Sequence, residues 1–157
     1  MTNTWTFNNE DELRSFAGQI APLLQAGDVL LLDGDLGAGK TSFTKGLGLA
    51  LGIHQPIKSP TFTIIHEYPT ARIPLYHMDL YRLEGGGAED LGLEEYFEGD
   101  GVSVVEWPDY LGASAPYDYV TLHFHKDDHD DNRRTITAEA EGERGHALLA
   151  SISALAQ

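Results

Sequence analysis

Polar and apolar positions along the chain change period several times, and each change marks an element. From Asn9 onward Leu13, Phe16, Ala17, Ile20 and Leu24 recur at three- and four-residue intervals, the period of one helix face. Asn9 with Glu12 three residues on has the form of a capping box. Pro22 predicts a kink and Gly27 a stop. Residues 28–33, DVLLLD, are a short apolar run of the kind found in strands buried on both faces. A glycine-rich turn then opens a helix predicted from Gly39 to Leu51, with Phe43, Leu47 and Leu51 as its apolar stripe. Gly46 and Gly48 each cost that helix about 1 kcal/mol relative to alanine, which a close backbone approach would explain.

Two strands are predicted next, Thr61–Tyr68 and Arg72–Leu80, joined through Pro69 and Thr70; period-two alternation puts Ile73, Leu75, His77 and Asp79 on one face. Glu89–Phe97 reads as a helix and GVSVVE, residues 101–106, as a short buried strand. Tyr119–His125 and Arg134–Ala140 alternate as strands. Glu143–Leu155 reads as a closing helix with Ala147, Leu148, Ile152 and Leu155 on its inner side. Trp5 is expected in the core. The mixture, with a first βα unit of the parallel kind, predicts an α/β sheet with some antiparallel strands.

The 157 residues, 41% hydrophobic, are enough for one domain spanning 1–157 with a core of its own. There is no cysteine, which excludes a disulfide scaffold, a zinc–thiolate site and a thiol nucleophile. No apolar run reaches the length of a membrane span, and MTNTWTFNNEDEL lacks the basic and apolar regions of a secretory signal. The expected compartment is the cytoplasm, with no membrane partner. The net charge of −15 is unevenly spread: residues 36–82 carry five bases and two acids, whereas residues 83–131 carry fourteen acids and one base. Such a chain holds DNA or RNA poorly by itself. The acidic belt is a solvated surface or a face for a basic neighbour.

The locally basic stretch opens with GDLGAGKT, residues 34–41, a gapless match to G-x-x-x-x-G-K-[ST]. A loop of this kind turns backbone N–H groups inward as an anion nest, and the following helix points its positive end at the same place. The expected cradle is Gly34, Asp35, Leu36, Gly37, Ala38, Gly39, Lys40, Thr41 and Ser42. Lys40 would reach the β- and γ-phosphates of a nucleotide, and the Thr41 hydroxyl would ligate Mg²⁺. A second metal ligand should be an acid at a strand end. Glu106, closing GVSVVE, and Asp79 both qualify. Ser59 and Thr61, around Pro60, could present hydroxyls to a γ-phosphate. His123 and His125 form an H-x-H pair that could ligate a metal, although a solvated strand end suits them better. His54, His66 and His77 read as structural, or as supports behind the site. No N-K-x-D guanine reader is present, which favours ATP over GTP.

Four blocks occur in order: GDLGAGKT (34–41), KSPTFTIIHEY (58–68), HMDLYRL (77–83) and VEWP (105–108). In these the chain resembles the bacterial TsaE (YjeE) family of small P-loop ATPases over roughly residues 5–150. The resemblance implies an α/β, P-loop NTPase-like three-layer sandwich with a mixed, mostly parallel sheet and an antiparallel hairpin. It implies ATP and Mg²⁺ as cofactors, and slow, partner-stimulated hydrolysis that switches the TsaD and TsaB proteins during threonylcarbamoyladenosine modification of tRNA. The tRNA would be met only indirectly, through that complex. Carried over by motif, Lys40, Asp79 and Glu106 are the catalytic candidates, Thr41 and Glu106 the metal ligands, and Thr61 a switch residue. Trp107 would lie beside the site, and Asn9 and Arg133, or Arg134, would flank the adenine and ribose. A small-molecule kinase built on the same loop, or a nucleotide-gated adaptor without turnover, stays open on the sequence alone.

Overall fold

The computed structural model describes residues 3–35, 37–58, 64–69 and 72–155. Leu36, Ser59 and Thr61 lie outside the described residues. Among those described, β1 (Thr4–Phe7), β2 (Val29–Asp33), β3 (Ile65–Tyr68), β4 (Leu75–Asp79), β5 (Val102–Glu106), β6 (Tyr119–Lys126) and β7 (Arg134–Glu141) form one sheet. Its order is β1-β7-β6-β2-β5-β4-β3. The central strands β6, β2, β5 and β4 are parallel. The flanking pairs β3–β4, β6–β7 and β1–β7 are antiparallel. The expected fold class, an α/β three-layer sandwich on a mixed sheet, is therefore what the chain adopts.

The apolar run of β2 explains the layering. Leu30 and Leu32 enter one core and Val29 and Leu31 the other, all within 5% exposure. The first core lies beneath α1 (Glu10–Ile20), α2 (Lys40–Ala50) and α4 (Gly142–Ser153). The second lies beneath α3 (Leu93–Phe97) and two 3-10 segments, Ala88–Leu91 and Pro108–Ser114.

Local chemistry sets the element ends. Asn9 Oδ1 accepts from the Glu12 amide at 2.9 Å, while Glu12 Oε2 accepts from the Asn8 amide at 2.8 Å, so the returning half of the box lands one residue early. Pro22 sits in a 3-10 turn, Ala21–Leu23, that continues α1. α2 crosses α1 closely: a Cβ on Gly46 would meet the Arg14 carbonyl oxygen at 2.6 Å, and one on Gly48 the Ile57 Cδ1 at 2.0 Å. This is the close approach the two glycines imply.

Two expectations are corrected, and one strand is added. The helix predicted over Glu89–Phe97 is broken at Gly92, whose left-handed φ of 65° separates a 3-10 turn from α3. In α4 the inward residues are Gly145, Leu148, Leu149 and Ile152, and Ala147 is exposed. β1 was not foreseen as a strand, because four residues alternate too briefly to read. Its Trp5 and Phe7 point inward and pack on Phe16 at centroid distances of 5.1 and 5.0 Å.

The H-x-H pair lies on the outer face of β6, opposite Leu122 and Phe124. His123 bonds Asp33 through Nδ1 (2.8 Å) and Glu139 through Nε2 (3.1 Å), and His125 bonds Thr137 (3.2 Å). These are cross-strand polar contacts on an open sheet face. Burial pulls the His123 pKa down, but the bonds to Asp33 and Glu139 outweigh it and hold the pKa above its ordinary 6.5.

Two outcomes follow from this packing. Gly46→Ala gains about 1 kcal/mol of helix propensity, but its new methyl meets rigid backbone, where overpacking costs about 1–3 kcal/mol. It should therefore lower the urea unfolding midpoint, and Gly48→Ala, which meets only the tip of Ile57, should lower it less. With its pKa raised in the folded state, His123 contributes stability that is full below pH 6.5 and is lost as pH rises through the folded value. Unfolding midpoints measured across that window should fall more for the native chain than for His123→Gln.

Candidate functional site

Because β2, β4, β5 and β6 run parallel, their carboxyl ends emerge at one edge, where ligands bind in open α/β sheets. The last residue of β2 is Asp33, of β4 Asp79, of β5 Glu106 and of β6 Lys126. Register places Asp79 beside Glu106, and Glu106 beside Leu32 one residue before Asp33. β7 begins at the same edge with Arg134, paired to both Lys126 and Phe7.

The described part of the loop, residues 34, 35 and 37–39, leads from β2 straight into α2. Gly34 and Gly39 have φ of 152° and 109°, and a Cβ on them would strike the Phe124 carbonyl (2.8 Å) and the Leu13 side chain (2.7 Å). Only glycine permits this turn. The amide of Phe43 bonds Gly39 O at 2.9 Å, so the N–H groups of Lys40, Thr41 and Ser42 are the first-turn donors that find no acceptor within α2. Thr41 and Ser42 are half-buried at this opening.

Lys40 is only 4% exposed. Its ammonium donates to Gly34 O at 2.6 Å and lies 4.3 Å from the centre of the Trp107 ring. Burial lowers its pKa, against the opposing pull of Glu106, Asp79, Asp33 and Asp35. Trp107 holds its place between Tyr81 (5.0 Å) and Tyr110 (6.3 Å, stacked). Its backbone is left-handed at φ 59°, an uncommon state for a non-glycine residue. Glu106 and Asp79 are 4% and 3% exposed. Glu106 Oε2 lies 2.6 Å from His77 Nε2, and Asp79 Oδ1 accepts from the Tyr81 amide at 2.9 Å.

One ammonium thus faces four carboxylates. A polyanion entering this edge alone meets these acids as well as the groups that attract it: the helix end, Lys40 and, at the outer side of the loop, Lys126 and Arg134. An anion accompanied by a divalent cation balances both sets of charge. No group of three or more acidic or histidine side chains able to hold a metal occurs among the described residues. Such an edge suits Mg²⁺, which takes one or two carboxylates plus phosphate oxygens and water, better than an ion needing a full protein cage.

The flanking positions fall unevenly. Asn9 caps α1, whose Leu13 packs on Gly39, so it stands near the loop. Arg133 is drawn to Asp127 (Nε–Oδ2 3.8 Å), whereas Arg134 donates to Gly37 O at 3.2 Å and its stem lies against Gly39. Lys126 Nζ lies 3.2 Å from where a Cβ on Gly37 would be. Lys126 was not singled out from the sequence. The sequence offers only that a lysine and an arginine bracket an acidic turn between two alternating segments; that this turn ends beside the loop follows from the parallel pairing of β6 with β2. A separate hollow of about 640 Å³ lies between α1 and α2, lined by Arg14, Lys45, Leu49, Ile53 and Ile57; it contains none of the site residues.

Comparison with known proteins places the chain in a family. The family model described as Threonylcarbamoyl adenosine biosynthesis protein TsaE matches residues 7–136. The tRNA threonylcarbamoyladenosine biosynthesis protein TsaE of Bacillus subtilis is 45% identical over 149 residues, covering 95% of this chain and 92% of its own. The protein of the same name from Streptomyces coelicolor is 39% identical over 150 residues, covering 92% and 99%. The crystal structure of Bacillus subtilis YdiB superimposes with a TM-score of 0.83 at 41% identity, covering 96% of this chain and 93% of that one. The phosphate-loop pattern, the acids at the strand ends and these matches converge: the chain belongs to the TsaE family.

Proposed function

We propose that this chain binds ATP with Mg²⁺ on the 34–42 loop and hydrolyses it slowly, as a nucleotide-driven switch in tRNA threonylcarbamoyladenosine biosynthesis. The observation that carries the reading is the buried Lys40 at the start of a helix, ringed by acids, with open N–H donors beside it. A cation at a helix N-terminus opposes the helix dipole, an arrangement that makes sense when an anion is the ligand. In this reading the first-turn amides and Lys40 bind the phosphates, Lys40 exchanging the Gly34 carbonyl for a phosphate oxygen. Thr41 and Glu106 hold the metal. Mg²⁺, when bound, supplies charge neutralisation of the β- and γ-phosphate oxygens. Asp79 orients the attacking water, and Lys126 and Arg134 steady the outer side of the loop.

No side chain here is an obvious strong base, which fits slow hydrolysis. Phosphoryl transfer depends chiefly on positioning and electrostatics, so a partner that completes the site would raise the rate. The partners proposed from the family resemblance are TsaD and TsaB, with tRNA held by them. The net charge of −15 suits a chain that leaves RNA binding to its neighbours. No helix among the described residues is long and apolar enough to cross a membrane, and the proposed location is the cytoplasm.

Removing the buried cation should cost at least about 2 kcal/mol of binding, so Lys40→Ala should weaken ATP affinity at least about thirtyfold by calorimetry. Binding at native affinity would refute the site. In the native chain with its partners, phosphate should be released into solution. Its appearance on a small-molecule acceptor would instead establish a kinase, and no turnover would establish a gated adaptor. Glu106→Ala should raise the Mg²⁺ concentration needed for turnover without abolishing nucleotide binding.

A further inference from the structure

His77 is completely buried, at 0% exposure, on a strand face it shares with Leu75 and Asp79. Its register partner on β5 is Val104, with Leu75 paired to Val102 beside it, and its partner on β3 is the half-buried His66. Its Nε2 lies 2.6 Å from Glu106 Oε2, while its Nδ1 is buried with no hydrogen-bond partner among the described residues. Burying a ring nitrogen without a partner costs about 1–3 kcal/mol. An apolar residue would fill this place with less penalty, so packing does not account for the histidine. The contact with Glu106 does. An ionised carboxylate only accepts, so Nε2 carries the proton and donates it.

We propose that His77 is the positioning residue for Glu106. By holding Oε2, its N–H fixes the carboxylate in one orientation and leaves the second oxygen for the metal that accompanies the nucleotide. His77 touches neither nucleotide nor metal and acts only through Glu106. This is the support that metal-ligating groups commonly receive from a hydrogen-bonded neighbour. The inference rests on the nucleotide–Mg²⁺ reading above.

The test compares two amides of different reach. In His77→Gln the side-chain amide reaches where Nε2 stands and can still donate to Glu106. In His77→Asn it stops at the level of Nδ1 and cannot. The readout is the ratio of ADP affinity in saturating Mg²⁺ to ADP affinity in EDTA, by calorimetry, with circular dichroism to confirm folding. His77→Asn should lower this ratio about ten- to a hundredfold, the range for losing a neighbour of a metal ligand, and His77→Gln should stay within about threefold of the native chain. Affinity in EDTA should be the same for all three. In a Glu106→Ala background, His77→Asn should cause no further loss of the ratio, which keeps the proposal testable if one single variant fails to fold. Equal ratios for Asn and Gln, or a further loss without Glu106, would overturn the role of His77 alone. A native chain that binds ADP under neither condition would overturn the nucleotide reading, and this inference with it.

Discussion

The structure turns on keeping one ammonium out of water. A lysine head buried without compensation costs several kcal/mol, and Lys40 is placed at the end of a helix where the dipole makes matters worse. Everything near it reads as compensation. The loop bends back so that the Gly34 carbonyl accepts from it, an aromatic face lies over it, and the strand ends bring carboxylates close. These neighbours hold the cation in waiting. They also crowd carboxylates at this edge, which on the proposed reading couples nucleotide to metal through electrostatics.

Strain gathers around the same edge. Trp107, directly after Glu106, and Ile64, whose carbonyl accepts from the Asp79 amide at 2.8 Å, both have left-handed backbones. Such conformations cost about 1–3 kcal/mol each and persist where the surroundings over-determine them. Here the surroundings are the aromatic stack of Tyr81, Trp107 and Tyr110 and the register of β3 against β4. Both strained residues adjoin the two acids the proposed chemistry uses, so they bear on how those carboxylates are aimed.

Much of this was legible in the residues. Asn9, the DVLLLD run and the Phe43–Leu47–Leu51 stripe each declare their element through spacing, and GDLGAGKT declares the glycine turn into α2. Asp79 and Glu106 could be named because each closes an apolar strand. What could not be read depends on which strand lies beside which. Lys126 reaches the loop only because β6 pairs with β2, and nothing local to it reports that pairing; Arg134 is named beside the site through the family resemblance, as an alternative to Arg133. The contact of His77 with Glu106 spans 29 positions and requires β4 and β5 to be neighbours. Gly92 broke a helix that apolar spacing alone would continue.

At the opposite end of the sheet stands a contrasting arrangement. Arg144 on α4 grips Asp28, just before β2, with bonds of 2.7 and 2.8 Å, and the same arginine donates to Leu23 O at 3.2 Å. Asp28 is 3% exposed and also accepts from the Gln25 amide at 2.7 Å. Here opposite charges are matched; at the loop edge like charges are crowded. The domain is thus polarised along its strands, with an anchored pole that confers robustness and a pole kept energetically uncomfortable until its ligand arrives. On the proposed reading, substitutions that relieve the crowded pole would harden the protein against heat while dulling its response to nucleotide, so durability and responsiveness can be tuned at separate ends of one sheet.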